Sequence, residues 1–205
     1  NLNYNHAAYR NNIGDEDYFA GLKNIQLNFN KGQRIALIGE SGSGKSTLLS
    51  LLRGLYLPHS GYILVDDEPD KRDLALITNQ VTFFPQEPEI FESTILYNIT
   101  LGLPVAPDDL RDICQDVHFL EVVEQLPHGL DSHIVEKGVN LSGGQKQRLA
   151  LARGVFAAQD SEIVLLDEPT SSVDPMTELK IYKNLFQRFE KKVIISALHR
   201  LHLLP

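Results

Sequence analysis

The sequence predicts an α/β fold built on a largely parallel sheet, and three observations predict it. Apolar runs of strand length alternate along the chain with segments of helical period. A glycine-rich turn separates the short apolar run Arg34–Ile38 from a leucine-rich helical pattern. A second run, Ile163–Leu166, is apolar throughout and reads as a buried strand that ends in two carboxylates. The 205 residues, 42% hydrophobic and 22% charged, suffice for one sizeable core with a small subdomain attached. The net charge of -8 excludes a nucleic-acid binder that works through a basic face. The single cysteine, Cys114, excludes an internal disulfide and reads as a small buried apolar residue. No apolar run approaches the roughly 20 residues that span a bilayer. The start, Asn1–Asn12, is polar and lacks the apolar segment of a secretory leader. The chain is therefore expected to be soluble, with any membrane connection made through a partner or another part of the polypeptide.

The elements follow in order. Ile25, Leu27 and Phe29 alternate with Gln26 and Asn28, which predicts a half-buried strand. After the glycine-rich turn, Leu48, Leu52 and Leu55 fall on one helical face that Leu49 and Leu51 widen. Tyr62–Val65 is a candidate strand closed by the acidic loop Asp66–Asp70, and Val81–Phe84 is a strand ended by Pro85. The segment 87–140 carries Pro88, Pro104, Pro107 and Pro127 among short helical patterns at Leu110–Val117 and Phe119–Gln125. It reads as a small helical subdomain inserted between the two parts of the sheet domain, 1–86 and 141–205. A helix over Ser142–Ala158 precedes the strand Ile163–Leu166. Asp174 is a good N-cap with Pro175 at the first helical position, and the helix they open is expected to bury Leu179, Tyr182, Phe186 and Phe189. Val193–Ile195 supplies a last strand.

The turn Gly39-Glu40-Ser41-Gly42-Ser43-Gly44-Lys45-Ser46-Thr47 matches the phosphate-binding P-loop pattern, after a strand and before a helix. Its glycines let successive backbone N–H groups turn inward around a β-phosphate at the positive end of the helix. Lys45 is expected to bridge the β- and γ-phosphates, and the Ser46 hydroxyl to coordinate Mg2+. The loop alone says only nucleotide, and does not separate kinase, GTPase, helicase and transporter. The strand Ile163–Leu166 followed by Asp167 and Glu168 narrows this. Asp167 suits a grip on Mg2+, and Glu168 is placed to polarise an attacking water.

Leu141-Ser142-Gly143-Gly144-Gln145, continued by Lys146-Gln147-Arg148, resembles the signature motif of ATP-binding-cassette (ABC) ATPases. Physically, a serine and two glycines at a helix start present a hydroxyl and bare N–H groups, an anion site suited to a γ-phosphate. The resemblance covers essentially the whole chain. It implies a P-loop NTPase with a mainly parallel sheet core, a small antiparallel β subdomain and an inserted α-helical subdomain. It implies ATP and Mg2+ as ligands, and a head-to-tail dimer in which the P-loop of one domain faces the signature of a second ABC domain. Gln86, after Phe83-Phe84-Pro85, resembles the Q-loop glutamine that touches Mg2+ or water. Ser171-Ser172-Val173-Asp174 resembles the D-loop, with Ser172 and Val173 where Ala and Leu are commoner, and His199 resembles the switch histidine that contacts the γ-phosphate. Leu198, just before it, is less usual there. For the adenine-stacking aromatic, Tyr4 stands at the usual position, with Tyr9 and Tyr18 in an apparent insertion as alternatives. Members of this family usually continue past the switch histidine with another strand, so the resemblance implies a domain end beyond Pro205.

Two stretches resemble the exporter branch. Gln86–Ile99 resembles the exporter run from the Q-loop into an Asn-Ile pair. His128-Gly129-Leu130-Asp131 with Val135-Glu136-Lys137-Gly138 resembles the loop that touches transmembrane coupling helices, Glu136 being the contact residue. This implies an ATPase on the cytoplasmic face of a membrane, coupled to a fused or separate transmembrane domain. The rival class is a soluble ABC ATPase of repair, chromosome structure or the ribosome; segment 87–140 has neither the heptads nor the cysteine ligands that such proteins insert. A degenerate regulatory cassette is a third class, against which Glu168 and His199 together argue.

Overall fold

The computed structural model describes residues 2–5, 21–61, 74–134 and 141–198. Four parallel strands make the central sheet: β3 (Arg34–Leu37), β5 (Val81–Phe84), β6 (Ile163–Asp167) and β7 (Val193–Ala197), in the order β3-β7-β6-β5. The registers Leu37↔Ala197 and Asp167↔Ala197 bring the ends of three strands level. Side chains alternate across the sheet, so neighbouring residues of one strand join different cores. Leu165, Val193 and Ile195 pack against helix α1 (Lys45–Arg53) through Leu48, Leu49 and Leu52. Val164, Leu166 and Ile194 face the other way, onto α5 (Gly143–Ala157) and α6 (Pro175–Arg188) through Leu151, Val155, Ile181 and Leu185. With helices on both faces, β7 is buried along its whole length, which is why its sequence is nearly all apolar.

A second sheet is antiparallel and small. It joins β1 (Leu2–Asn5) to β2 (Gly21–Ile25) and to β4 (Ser60–Gly61), in the order β2-β1-β4. Segment 87–140 contributes α2 (Ile95–Thr100), α3 (Pro107–Asp116) and α4 (Leu120–Gln125). Ile95, Ile99, Ile113 and Phe119 from this segment are fully buried in the α5–α6 core. Cys114 lies in that core, where burial pushes its thiol up to about 11. Arg153 of α5 ties the segment down: it donates to Asn98 O at 2.6 Å and Glu89 O at 2.8 Å, with its guanidinium 4.7 Å above the Phe91 ring. No helix among the described residues is long and apolar enough to cross a membrane.

Three expectations are corrected. The predicted strand Ile25–Phe29 is strand only up to Ile25, which pairs with Leu2; Phe29 still packs inward while Leu27 is exposed. Leu55 lies beyond the end of α1, where Gly54 turns left-handed (φ 79) and caps the helix, so its side chain is exposed. Leu179 is exposed; Tyr182 and Phe189 are buried and Phe186 is half-buried as expected, while Glu178, Ile181 and Leu185 join them in place of Leu179. Helix α2 was not predicted: its six residues are too few to display a period, although Thr94 caps it by accepting from Tyr97 N–H at 3.0 Å. Tyr62–Val65 and the acidic loop Asp66–Asp70 lie outside the described residues.

Candidate nucleotide-binding site

The P-loop connects β3 to α1 at the carboxyl end of the sheet, where open α/β sheets bind ligands. Gly42 (φ 81) and Gly44 (φ 90) adopt left-handed backbone that side chains other than glycine's resist. Gly39 makes room for Ser43: a Cβ there would stand 2.8 Å from the Ser43 hydroxyl. Lys45 folds over the loop, donating to Gly39 O at 2.8 Å and Glu40 O at 2.9 Å. Its ammonium is thereby held against the first two carbonyls of the turn. Ser41, Gly42 and Ser43 are exposed, and Thr47 is half-buried in the first turn of α1.

The Ser46 hydroxyl donates to Asp167 Oδ1 at 3.0 Å, joining two residues 121 positions apart. Asp167 is buried at the end of β6, so its carboxylate is fixed by the sheet. Glu168 then takes a left-handed backbone (φ 48), which is uncommon outside glycine and turns the chain sharply out of the strand. Behind it, Thr170 donates to the buried Glu178 carboxylate at 2.6 Å. Burial, with the charges of Glu178, Glu168 and Asp167 nearby, pushes the Tyr182 hydroxyl far above its ordinary range.

A second cluster surrounds the start of α5. Ser142 caps it by accepting from Gln145 N–H at 3.3 Å, while the Gln145 carboxamide accepts from Ser142 N–H at 2.8 Å, a complete capping box. A cleft of about 250 Å³ is lined by Gln86, Glu87, Gly143, Lys146, Ser171 and Ser172 among others. Gln147 is buried beneath it: Nε2 donates to Ser171 Oγ at 2.8 Å, and Oε1 accepts from Ser172 N–H at 2.7 Å. Asp174 caps α6, accepting from Thr177 N–H at 3.0 Å, a bond that lowers its carboxyl below the usual range.

This layout is a glycine-rich loop after β3, a carboxylate pair at the end of β6, which β7 separates from β3, and a serine-capped glycine helix start. The family profile described as "ABC transporter" matches residues 22–171, which take in all three. The chain belongs to the ABC transporter family. Among the relatives of this ABC domain, it is 37% identical over 181 residues to the glutathione/L-cysteine transport system ATP-binding/permease protein CydD of Bacillus subtilis, covering 88% of this chain and 31% of that protein. It is 38% identical over 203 residues to the mesentericin-Y105 transport/processing ATP-binding protein MesD of Leuconostoc mesenteroides (96% and 26%). It is 41% identical over 184 residues to the ATP-dependent lipid A-core flippase of Nitrosococcus oceani (88% and 30%). Among solved structures it resembles a bacterial Atm1-family ABC exporter with ATP bound, with a TM-score of 0.74, 32% identity, and coverage of 84% of this chain and 30% of that one. The chain spans about a third or less of the length of these relatives.

Within this ABC domain, Ser46 and Asp167 are hydrogen-bonded, with Glu168 next to Asp167, while Lys45 turns back onto Gly39 and Glu40. Gln86 and Gly143 instead share the second cleft with Ser171 and Ser172. Tyr4 lies in β1 opposite Leu22 by backbone register, and its side chain lies outside the description. Tyr9, Tyr18, Glu136 and His199 are outside the described residues. The strand leading to His199 runs through Ala197, and Leu198 N–H bonds Leu37 O at 3.2 Å. Sequence reasoning quoted Gln147 without assigning it a role. The signal was present: Gln147 is the one polar member of the buried row Gln147, Leu151 and Val155, four residues apart.

Proposed function

We propose that this chain binds and hydrolyses Mg-ATP as the motor domain of an ABC exporter, and that it works in a head-to-tail pair with a second ABC domain. The observation that carries the reading is the Ser46–Asp167 hydrogen bond, which joins the phosphate loop to the strand bearing Glu168. The names of the relatives, as permeases, a flippase and an exporter, support a transmembrane domain on the same polypeptide or on a partner. They also support a position at the cytoplasmic face of a membrane.

Mg2+ fits the donors present. A hydroxyl and a carboxylate oxygen 3.0 Å apart are hard oxygen ligands. Among the described residues no group of three His, Cys, Asp or Glu side chains could hold a metal unaided, so Ser46 and Asp167 would hold the ion together with substrate oxygens and water, as Mg2+ prefers. When bound, the ion neutralises charge on the phosphates. The P-loop N–H groups then cradle the β-phosphate, and Lys45 leaves the carbonyls of Gly39 and Glu40 for the β- and γ-oxygens. Glu168 orients and deprotonates the attacking water, His199 serves as the switch residue for the γ-phosphate, and Gln86 moves with the loop after β5 from the second cleft to touch water or the metal. Ser142, Gly143, Gly144 and Gln145 of one chain offer their helix start to the γ-phosphate held by the other, Tyr4 stacks on the adenine, and Asp174 closes the D-loop at the junction. Loss of the γ-phosphate removes the bridge, and the pair opens.

ATP turnover by the chain and two variants tests this. Lys45→Ala is expected to lose nucleotide binding, and Glu168→Gln to bind ATP but turn over at least about 100-fold more slowly. Parental turnover in both variants would contradict the assigned roles.

A further inference from the structure

Gln147 is 6% exposed, and its side chain bonds to two loops rather than to its own helix. Its carboxamide donates to Ser171 Oγ at 2.8 Å, accepts from Ser172 N–H at 2.7 Å, and reaches Gln86 O at 3.4 Å. One side chain of α5 thus holds both the loop that leaves β5 and the loop that leaves β6. The first turn of α5 presses on the same place. A Cβ on Gly144 would stand 2.9 Å from Ser172 O, and one on Gly143 3.6 Å from Ser172 Cβ.

The held loop is short and internally bonded. Ser171 N–H bonds Glu168 O at 3.2 Å, and Val173 N–H bonds Thr170 O at 2.9 Å. A shift at Ser171 and Ser172 is therefore carried to Glu168, whose φ of 48 makes it the bend of this segment. The cleft of about 250 Å³ above Gln147 leaves space on the solvent side for both loops to move. An apolar side chain would fill the buried row equally well, as Leu151 and Val155 do. A carboxamide adds a fixed pattern of two donors and one used acceptor, which selects one placement of the loops.

We propose that Gln147 is a positioning residue that couples two ATP sites. It transmits displacement of the α5 start, on which a second domain's γ-phosphate closes, to the loop that aims Glu168 at this domain's own ATP. The inference rests on the head-to-tail reading above. It makes hydrolysis at one site depend on occupancy of the other, a reciprocal coupling carried by one side chain.

The test measures ATP turnover against ATP concentration for the chain and for Gln147→Leu, Gln147→Glu, Ser171→Ala and the Gln147→Leu/Ser171→Ala pair. Gln147→Glu keeps the acceptor for Ser172 N–H and can accept from the Ser171 hydroxyl, but loses the donors to Ser171 Oγ and Gln86 O. Gln147→Leu is expected to lower kcat about tenfold with KM within about twofold, and to bring the Hill coefficient toward 1. Gln147→Glu, which keeps only the acceptor, should recover part of kcat and fall between Gln147→Leu and the parent, and the paired variant should be no slower than Gln147→Leu alone. If Gln147→Leu does not fold, Ser171→Ala, at an exposed position, carries the test: lower kcat with unchanged KM supports the proposal, and parental kcat overturns it. Losses that multiply in the pair, or a kcat for Gln147→Leu within about twofold of the parent, overturn the proposal while leaving the ATPase reading intact. A parent chain that neither binds nor hydrolyses ATP overturns that reading and this inference with it.

Discussion

The P-loop and the start of α5 both rely on glycine, for opposite reasons. In the P-loop, Gly42 has nothing within 4 Å of where a Cβ would stand, but its φ of 81 excludes most side chains. There glycine buys conformation, turning N–H groups toward a ligand. At the start of α5 the backbone is ordinary helix, and Gly144 is needed because a Cβ would strike the Ser172 carbonyl at 2.9 Å. There glycine supplies space, letting a neighbouring loop lie on the helix. One region is shaped for what it binds, the other for what it must move with. Two motifs of similar composition therefore respond differently to the same substitution.

Gly154, farther along α5, is the extreme of the space-making kind. A Cβ there would lie 2.3–2.7 Å from three carbons of the buried Phe84 ring. Gly154→Ala is expected to destabilise the fold by about 3 kcal/mol in urea unfolding, with part recovered by adding Phe84→Leu. The core beneath α5 also sets an alkaline limit. Burial raises the Cys114 thiol from 9.0 to about 11, so the folded state holds its proton longer than the unfolded one. Its contribution is complete below pH 9 and is lost as pH rises through about 11, about 2–3 kcal/mol at full extent. Burial raises Tyr182 in the same direction, so Cys114→Ala should flatten the first part of an alkaline unfolding profile and leave a later part.

Gly144→Ala has no helix-propensity penalty, but its Cβ meets the Ser172 backbone carbonyl at 2.9 Å, so it should destabilise the fold by about 2 kcal/mol. Its Cβ displaces the loop at Ser172, and ATP turnover is expected to fall about tenfold. Gly42→Ala should show the smallest effect on the fold, about 1 kcal/mol from the left-handed backbone, with Gly42→Asn milder because asparagine tolerates that region. If Asn and Ala at position 42 proved equally costly, contact rather than conformation would govern the P-loop.

The chemistry was more legible in the sequence than the packing. The P-loop, the strand Ile163–Leu166 with its carboxylates, and Ser142 with Gln145 are local patterns whose geometry follows from residue order. Asp174 and Pro175 opened α6 as predicted, because a cap is also a local device. Leu55 and Leu179 were misplaced, because apolar period tells neither where a helix stops nor which edge of its stripe meets the sheet. The contacts that unite the site are long-range: Ser46 with Asp167, Gln147 with Ser171 and Gln86, and Arg153 with Asn98. Each joins residues that no sequence window contains together, and only the fold reveals them.

The most direct test of the account is the solution mass of the Glu168→Gln chain with and without Mg-ATP. If, as proposed, the γ-phosphate bridges the pair and Glu168 removes it, the chain is a monomer that becomes a dimer only when ATP is present. A chain that binds ATP yet stays monomeric at every ATP concentration, or one that dimerises equally without ATP, would contradict it.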